Sequence, residues 1–99
     1  MSTIYYRTKD GRADYGFSFE RQWDGSWRAY IASQPSYGSR DTSASVIHRL
    51  TDNGRHYVCW SQPLRSEANA RAVAAQWADL TQEYIRTGRI IDEQVRSRR

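Results

Sequence analysis

Three turn signals divide the first half of the chain. Asp10-Gly11, Asp24-Gly25 and Asn53-Gly54 each fall between stretches of strand-forming residues. Glycine enters the left-handed region without steric cost, and Asp or Asn before it favours tight hairpins. After the last signal comes an Ala-rich amphipathic segment from Ser66 to Thr87, closed by Gly88. The pattern predicts an α+β fold. A four- to five-stranded antiparallel meander sheet over about residues 3–60 packs against one long C-terminal α-helix over about 66–87, and a basic tail follows at 89–99. The 99 residues are read as one domain, near the common domain size.

The first strand is the least defined, since residues 3–8 sit beside a terminus that is free to fray. The second turn carries a register. With Trp23-Asp24-Gly25 as a three-residue loop, Gly25 takes the left-handed third place of a type I turn with a G1 bulge. Phe17 then faces Ile31, Phe19 faces Ala29 and Arg21 faces Trp27. Phe17, Phe19, Trp27, Ala29 and Ile31 share one face, and Ser18, Glu20, Gln22, Arg28 and Tyr30 share the other. A two-residue loop would mix the faces, because a one-residue slip inverts every side chain. Trp23 is left in the turn and exposed.

Residues 33–44 are polar and turn-rich, long for a connection in a compact domain, and read as a spacer or a working loop. Residues 45–50 and 55–60 form the next hairpin. Its register stays open between a loop of Asp52-Asn53-Gly54 and a loop of Asn53-Gly54, the latter pairing Leu50 with Tyr57 and His48 with Cys59. In the helix, Ser66 is the N-cap, Glu67 suits the first turn and Gly88 the C-terminal stop. Ala70, Val73, Trp77, Leu80 and Tyr84 recur at spacings of three and four and form one apolar stripe. The expected core is Phe17, Phe19, Trp27, Ala29, Ile31, Val46 or Ile47, Val58 and Trp60 from the sheet, with Val73, Trp77, Leu80 and Tyr84 from the helix. Beyond it, Ile91 and Val95 are spaced for one last helical turn that docks on the body or on a partner.

The net charge is +4, and fourteen of the fifteen basic residues are Arg. Arg forks suit phosphate and carboxylate, although a GC-rich bacterial genome, which favours Arg and Ala together, accounts for most of that ratio. A single Cys and the lack of a signal-like start or an apolar span argue for a cytoplasmic chain without disulfides or a membrane segment. His48, His56 and Cys59 are the residues with nucleophile or soft-ligand chemistry. They lack an orienting third group and are too few for a zinc site, so a buried thiol and two strand histidines are expected. Asp10, Asp24 and Asp52 are explained by turns and Glu67 by the helix start, no pair among the other carboxylates has an apolar enclosure that would raise a pKa, and no phosphate loop or dinucleotide fingerprint occurs. The expectation is therefore no enzyme, no cofactor and no metal.

Two binding readings remain. The first is a protein partner or self-association, with a homodimer as the commonest form, through Tyr30, Tyr57, Trp23 and Tyr37 and the free sheet edges. The alternative is a nucleic acid held by Arg21, Arg28, Tyr30, Arg49 and Arg55 on the sheet face away from the helix, with Arg96, Arg98 and Arg99 as a phosphate-seeking tail. Glu20 lies among those residues, and the charge asymmetry is mild.

Overall fold

The computed structural model describes residues 3–97. Five strands run as β1 (Ile4–Arg7), β2 (Asp14–Arg21), β3 (Trp27–Ser33), β4 (Arg49–Asp52) and β5 (Arg55–Val58), with α1 (Ala44–Ile47), α2 (Glu67–Thr87) and α3 (Ile91–Arg96). The strands lie in the order β1-β2-β3-β5-β4, and their pairings are all antiparallel. Helix α2 packs across one face of this sheet.

The β2–β3 hairpin has the expected register. Phe17 faces Ile31, Phe19 faces Ala29 and Arg21 faces Trp27. Gln22 and Ser26 close a loop of Trp23, Asp24 and Gly25, with Gly25 at φ 88°. Asp24 accepts hydrogen bonds from the Ser26 N–H and hydroxyl, the usual way an Asx side chain holds a turn. The β4–β5 hairpin takes the shorter of the two loops left open. Leu50 faces Tyr57, and Asn53 and Gly54 both lie at positive φ (50° and 75°), the type I′ geometry that matches strand twist.

The strand expected from residue 45 begins instead at Arg49. Residues 44–47 form a single helical turn ended by His48 at φ 54°. Ile47 is buried there, and its carbonyl accepts a hydrogen bond from the Trp77 indole at 2.9 Å. Tertiary packing thus overrides the strand preference of Val46-Ile47. The extended run expected through Trp60 stops at Val58. The chain then swings out and returns at Leu64, whose carbonyl accepts from the Trp27 N–H.

Helix α2 has the ends its sequence specifies. The Ser66 hydroxyl accepts from the Asn69 N–H, and Gly88 adopts φ 81°. Its stripe of Ala70, Val73, Trp77 and Leu80 meets Tyr15, Phe17, Ala29 and Val58 in the main core. Trp77 packs edge-on against both Tyr15 and Phe17. A second, smaller cluster joins Tyr84 to Tyr37 and Ile47. The tail folds back on the body: Ile91 is buried in the main core, and the buried Gln94 donates to the Leu80 and Arg89 carbonyls.

Candidate protein-docking face

Side-chain alternation divides the sheet residues between the two faces. Counting from the paired positions, Arg28, Tyr30, Arg55 and Tyr57 stand on the face away from α2, together with Tyr5, Arg7, Asp14, Glu20, Leu50 and Asp52. Arg21 and Arg49 do not join them. Arg21 lies opposite Trp27 and Arg49 opposite Val58, both on the helix side. Arg49 stacks on the Tyr37 ring at 5.2 Å and donates to the Gln34 side chain. The proposed five-residue basic face is therefore reduced to Arg28, Tyr30 and Arg55.

These residues form an interlocked lattice. The Arg28 guanidinium lies 4.2 Å from the Tyr57 ring centroid, and that of Arg55 lies 3.8 Å from the Tyr30 centroid. The two tyrosine rings are 5.7 Å apart. Arg28 also donates to Asp52 at 2.9 Å and to the Tyr30 hydroxyl at 3.0 Å. Arg55 grips Glu20 with both terminal nitrogens, the bidentate form that is strongest for Arg and carboxylate. Hydrogen bonds from Arg55 hold the Glu20 carboxyl below its usual range. Arg7 and Asp14 form a further pair at 2.9 Å.

Two consequences follow for recognition. The face carries Arg7, Arg28 and Arg55 against Asp14, Glu20 and Asp52, so its charge sums to zero. The Tyr30 and Tyr57 rings each also carry a guanidinium group over one face. Tyr30 is only 7 % exposed, so the aromatic expected at the centre of the face lies beneath its arginines. Exposed apolar groups stand at the margins instead: Tyr5 on β1 at 67 % and Leu50 on β4 at 38 %. The alternation of β1 and the Leu50–Tyr57 pairing mark both, and sequence reasoning passed over them.

The other expected residues are dispersed. Trp23 is 99 % exposed at the β2–β3 tip. Tyr37 is buried against Tyr84, and its hydroxyl has no hydrogen-bond partner among the described residues. Arg96 ends α3, far along the chain from the lattice, and Arg98 and Arg99 lie outside the described residues.

His48 and Cys59 are bonded through backbone, with the Cys59 N–H donating to the His48 carbonyl at 2.8 Å. The His48 ring turns away to Asp92 on α3, Nε2 to Oδ1 at 2.8 Å. The His56 ring pairs with the Thr51 hydroxyl, and burial together with the Arg49 charge pushes its pKa down. Among the described residues, no three His, Cys, Asp or Glu side chains come together in a group able to hold a metal. Ser61 shares a groove of about 270 Å³ with His48 and Asp92. The His48 ring is bonded there to Asp92. No helix of the described residues is long and apolar enough to cross a membrane.

Comparisons of the chain with protein-family models, with curated proteins and with solved structures return no match.

Proposed function

We propose that this chain is a small binding protein that works through protein contacts, and that its first partner is a second copy of itself, met sheet face to sheet face. The supporting observation is the outer face of the sheet. It has a rigid, charge-neutral Arg–Tyr centre with exposed Tyr5 and Leu50 at opposite margins. Tyr and Arg are the residues enriched at the energetic centres of interfaces, and side chains already held in place lose less entropy on binding.

A second copy suits this face because it carries equal numbers of both charges. A twofold rotation sets arginines of one copy over carboxylates of the other, whereas a one-signed face repels itself. Five strands spaced about 4.8 Å apart give a face only about 20 Å wide, at the low end for a stable pair. A weak, concentration-dependent dimer is the expected form.

Sedimentation equilibrium across a wide concentration range tests this. Reversible dimerisation that is lost in Tyr5→Lys/Leu50→Lys, with the fold retained, is the expected result. A chain that stays monomeric at the highest attainable concentration overturns it. Tight, salt-sensitive binding of a labelled oligonucleotide, lost in an Arg28→Ala/Arg55→Ala variant, would replace it with the nucleic-acid alternative.

A further inference from the structure

The two asparagines of the chain, Asn53 and Asn69, stand in opposite settings. Asn69 lies in the first turn of α2. Its Oδ1 accepts from the Arg65 N–H at 3.1 Å, and the main-chain nitrogen that follows it, of Ala70, donates to the Ser66 carbonyl at 2.9 Å. Asn53 and Gly54 form the loop between the paired Asp52 and Arg55, and both face solvent. The space around Gly54 is open: a Cβ there would meet nothing within 4 Å.

The nitrogen one residue after an asparagine is placed to close a five-membered ring on the side-chain carbonyl carbon. A side chain on the following residue obstructs that approach, and glycine has none. Asp10 and Asp24 also precede glycines, but each is tied down. The Asp10 Oδ1 accepts from the Thr8 hydroxyl and the Arg12 N–H, and the Asp24 Oδ1 accepts from the Ser26 N–H and hydroxyl. An ionised carboxylate is also a poor target for a nucleophile.

We infer that Asn53 is a site of spontaneous covalent modification, in which the Gly54 main-chain nitrogen attacks the Asn53 carboxamide. The nitrogen gives up its proton to solvent base and bonds to the Asn53 Cγ. The Cγ–Nδ2 bond breaks and ammonia leaves, so that positions 53 and 54 share a succinimide ring. Water then adds to one of the two ring carbonyls and opens it. One opening restores the ordinary main chain with an aspartate side chain at position 53. The other routes the main chain through the side-chain carboxyl, an isoaspartyl linkage. Nothing is oxidised or reduced, and water is the sole co-reactant. Ring closure requires the loop to leave its left-handed geometry at φ 50° and 75°. The loop ends on the edge strand β4, and such exposed tips open at little cost.

Each product alters the hairpin. The aspartyl product adds a negative charge next to Asp52, the partner of Arg28. The isoaspartyl product lengthens the main chain inside a loop whose type I′ geometry fits two ordinary residues, which loosens the Asp52–Arg55 pairing. This inference does not rest on self-association through the sheet.

The test is incubation of the folded full chain in mildly alkaline buffer, followed by digestion and mass analysis of the peptides. The peptide holding Asn53 is expected to convert to two products, both at the mass of acid in place of amide, while the peptide holding Asn69 stays unchanged. One of the two products is expected to accept a methyl group from an isoaspartyl methyltransferase. The conversion should quicken as the pH rises, because the attacking nitrogen must lose its proton. In Asn53→Asp there is no ammonia to lose, and the mass change should vanish. An Asn53 peptide left unchanged over the time in which the same chain unfolded in urea converts fully would overturn the inference. So would equal conversion at Asn69.

Discussion

The two faces of the sheet are built from the same residue types and solve different problems. The helix face is dry. Tyr15, Phe17 and Trp77 interlock edge to face, with Ala29, Ala74 and Ala78 letting α2 approach closely. The outer face is covered by its own long side chains, so that Tyr30 is buried there beneath guanidinium groups and not by a second layer. A chain short of aliphatic residues thereby shields both faces with one helix. Arg contributes its planar fork and the stem beneath it, which Lys does not match.

The sharpest way to break this comparison is to empty each face in turn. Trp77→Ala is expected to cost about 3–5 kcal/mol by chemical denaturation, most of the stability of a domain at the low end of the usual range. Tyr30→Ala is expected to cost about 2 kcal/mol, because removing a guanidinium-capped ring opens the site to water and leaves no sealed cavity. Equal losses would mean that the outer lattice is a second core.

Gly88→Ala comes next. The added Cβ would sit 2.7 Å from an Arg40 guanidinium nitrogen, at a backbone φ of 81°. The flexible Arg40 can move aside but the backbone cannot, so a loss of about 1 kcal/mol is expected from the left-handed strain.

Acid sharpens the comparison further. The His56 pKa is lowered below 6.5 by burial and by Arg49. As the pH falls through 6.5 the unfolded chain takes up a proton that the folded chain refuses, and stability declines. The Glu20 carboxyl is held below its ordinary 4.5 by Arg55. Its contribution is present above that value and is lost as the pH falls through the lowered one. Two successive acid losses in thermal melts are expected; Asp10, Asp24 and Asp41 are also held low and feed the lower one, so Glu20→Gln should lessen it while leaving the upper in place. At the other extreme, burial and the Asp79 partner raise the Tyr6 phenol from 10.0 to about 12. The unfolded chain then releases its proton first, and stability falls as the pH rises above 10.

The smallest effect belongs to Trp23→Ala. A side chain that is 99 % exposed contributes no packing, and a stability change within about 0.5 kcal/mol is expected. A larger loss would mean that the β2–β3 tip is held by contacts other than its Asp24 turn.

The sequence carried the architecture through its punctuation. Asp24-Gly25 with period-two apolar residues on either side left one workable register, and the Ser66-to-Gly88 frame set the long helix at both ends. The outer face was legible only in part. Arg49 could not be assigned a face until the β4–β5 loop length was known, while Arg21 was already placed opposite Trp27 by the hairpin register and belonged with the helix side. The burial of Tyr30 depends on arginines from its own and a neighbouring strand, which no local pattern announces. Residues 45–47 read as strand because Val46 and Ile47 are β-branched, and the Trp77 indole reaching the Ile47 carbonyl accounts for the helical turn instead.

Among the described residues, β3 and β5 register through one pair, Tyr30 with Tyr57, whereas β2–β3 and β4–β5 are full ladders. The Arg55–Glu20, Arg28–Asp52 and stacked Arg–Tyr contacts all cross that line, from one hairpin to the other. The two hairpins close locally and fast, and their union must wait for a chain closure across the intervening residues. The β4–β5 hairpin, tied to the main core through Val58, is thus expected to part from the rest as a unit while its internal ladder persists. Native-state hydrogen exchange is expected to find it opening at a free energy below that of global unfolding. The outer arginines then set how often the folded chain opens along this line, a rate of breathing rather than a shape.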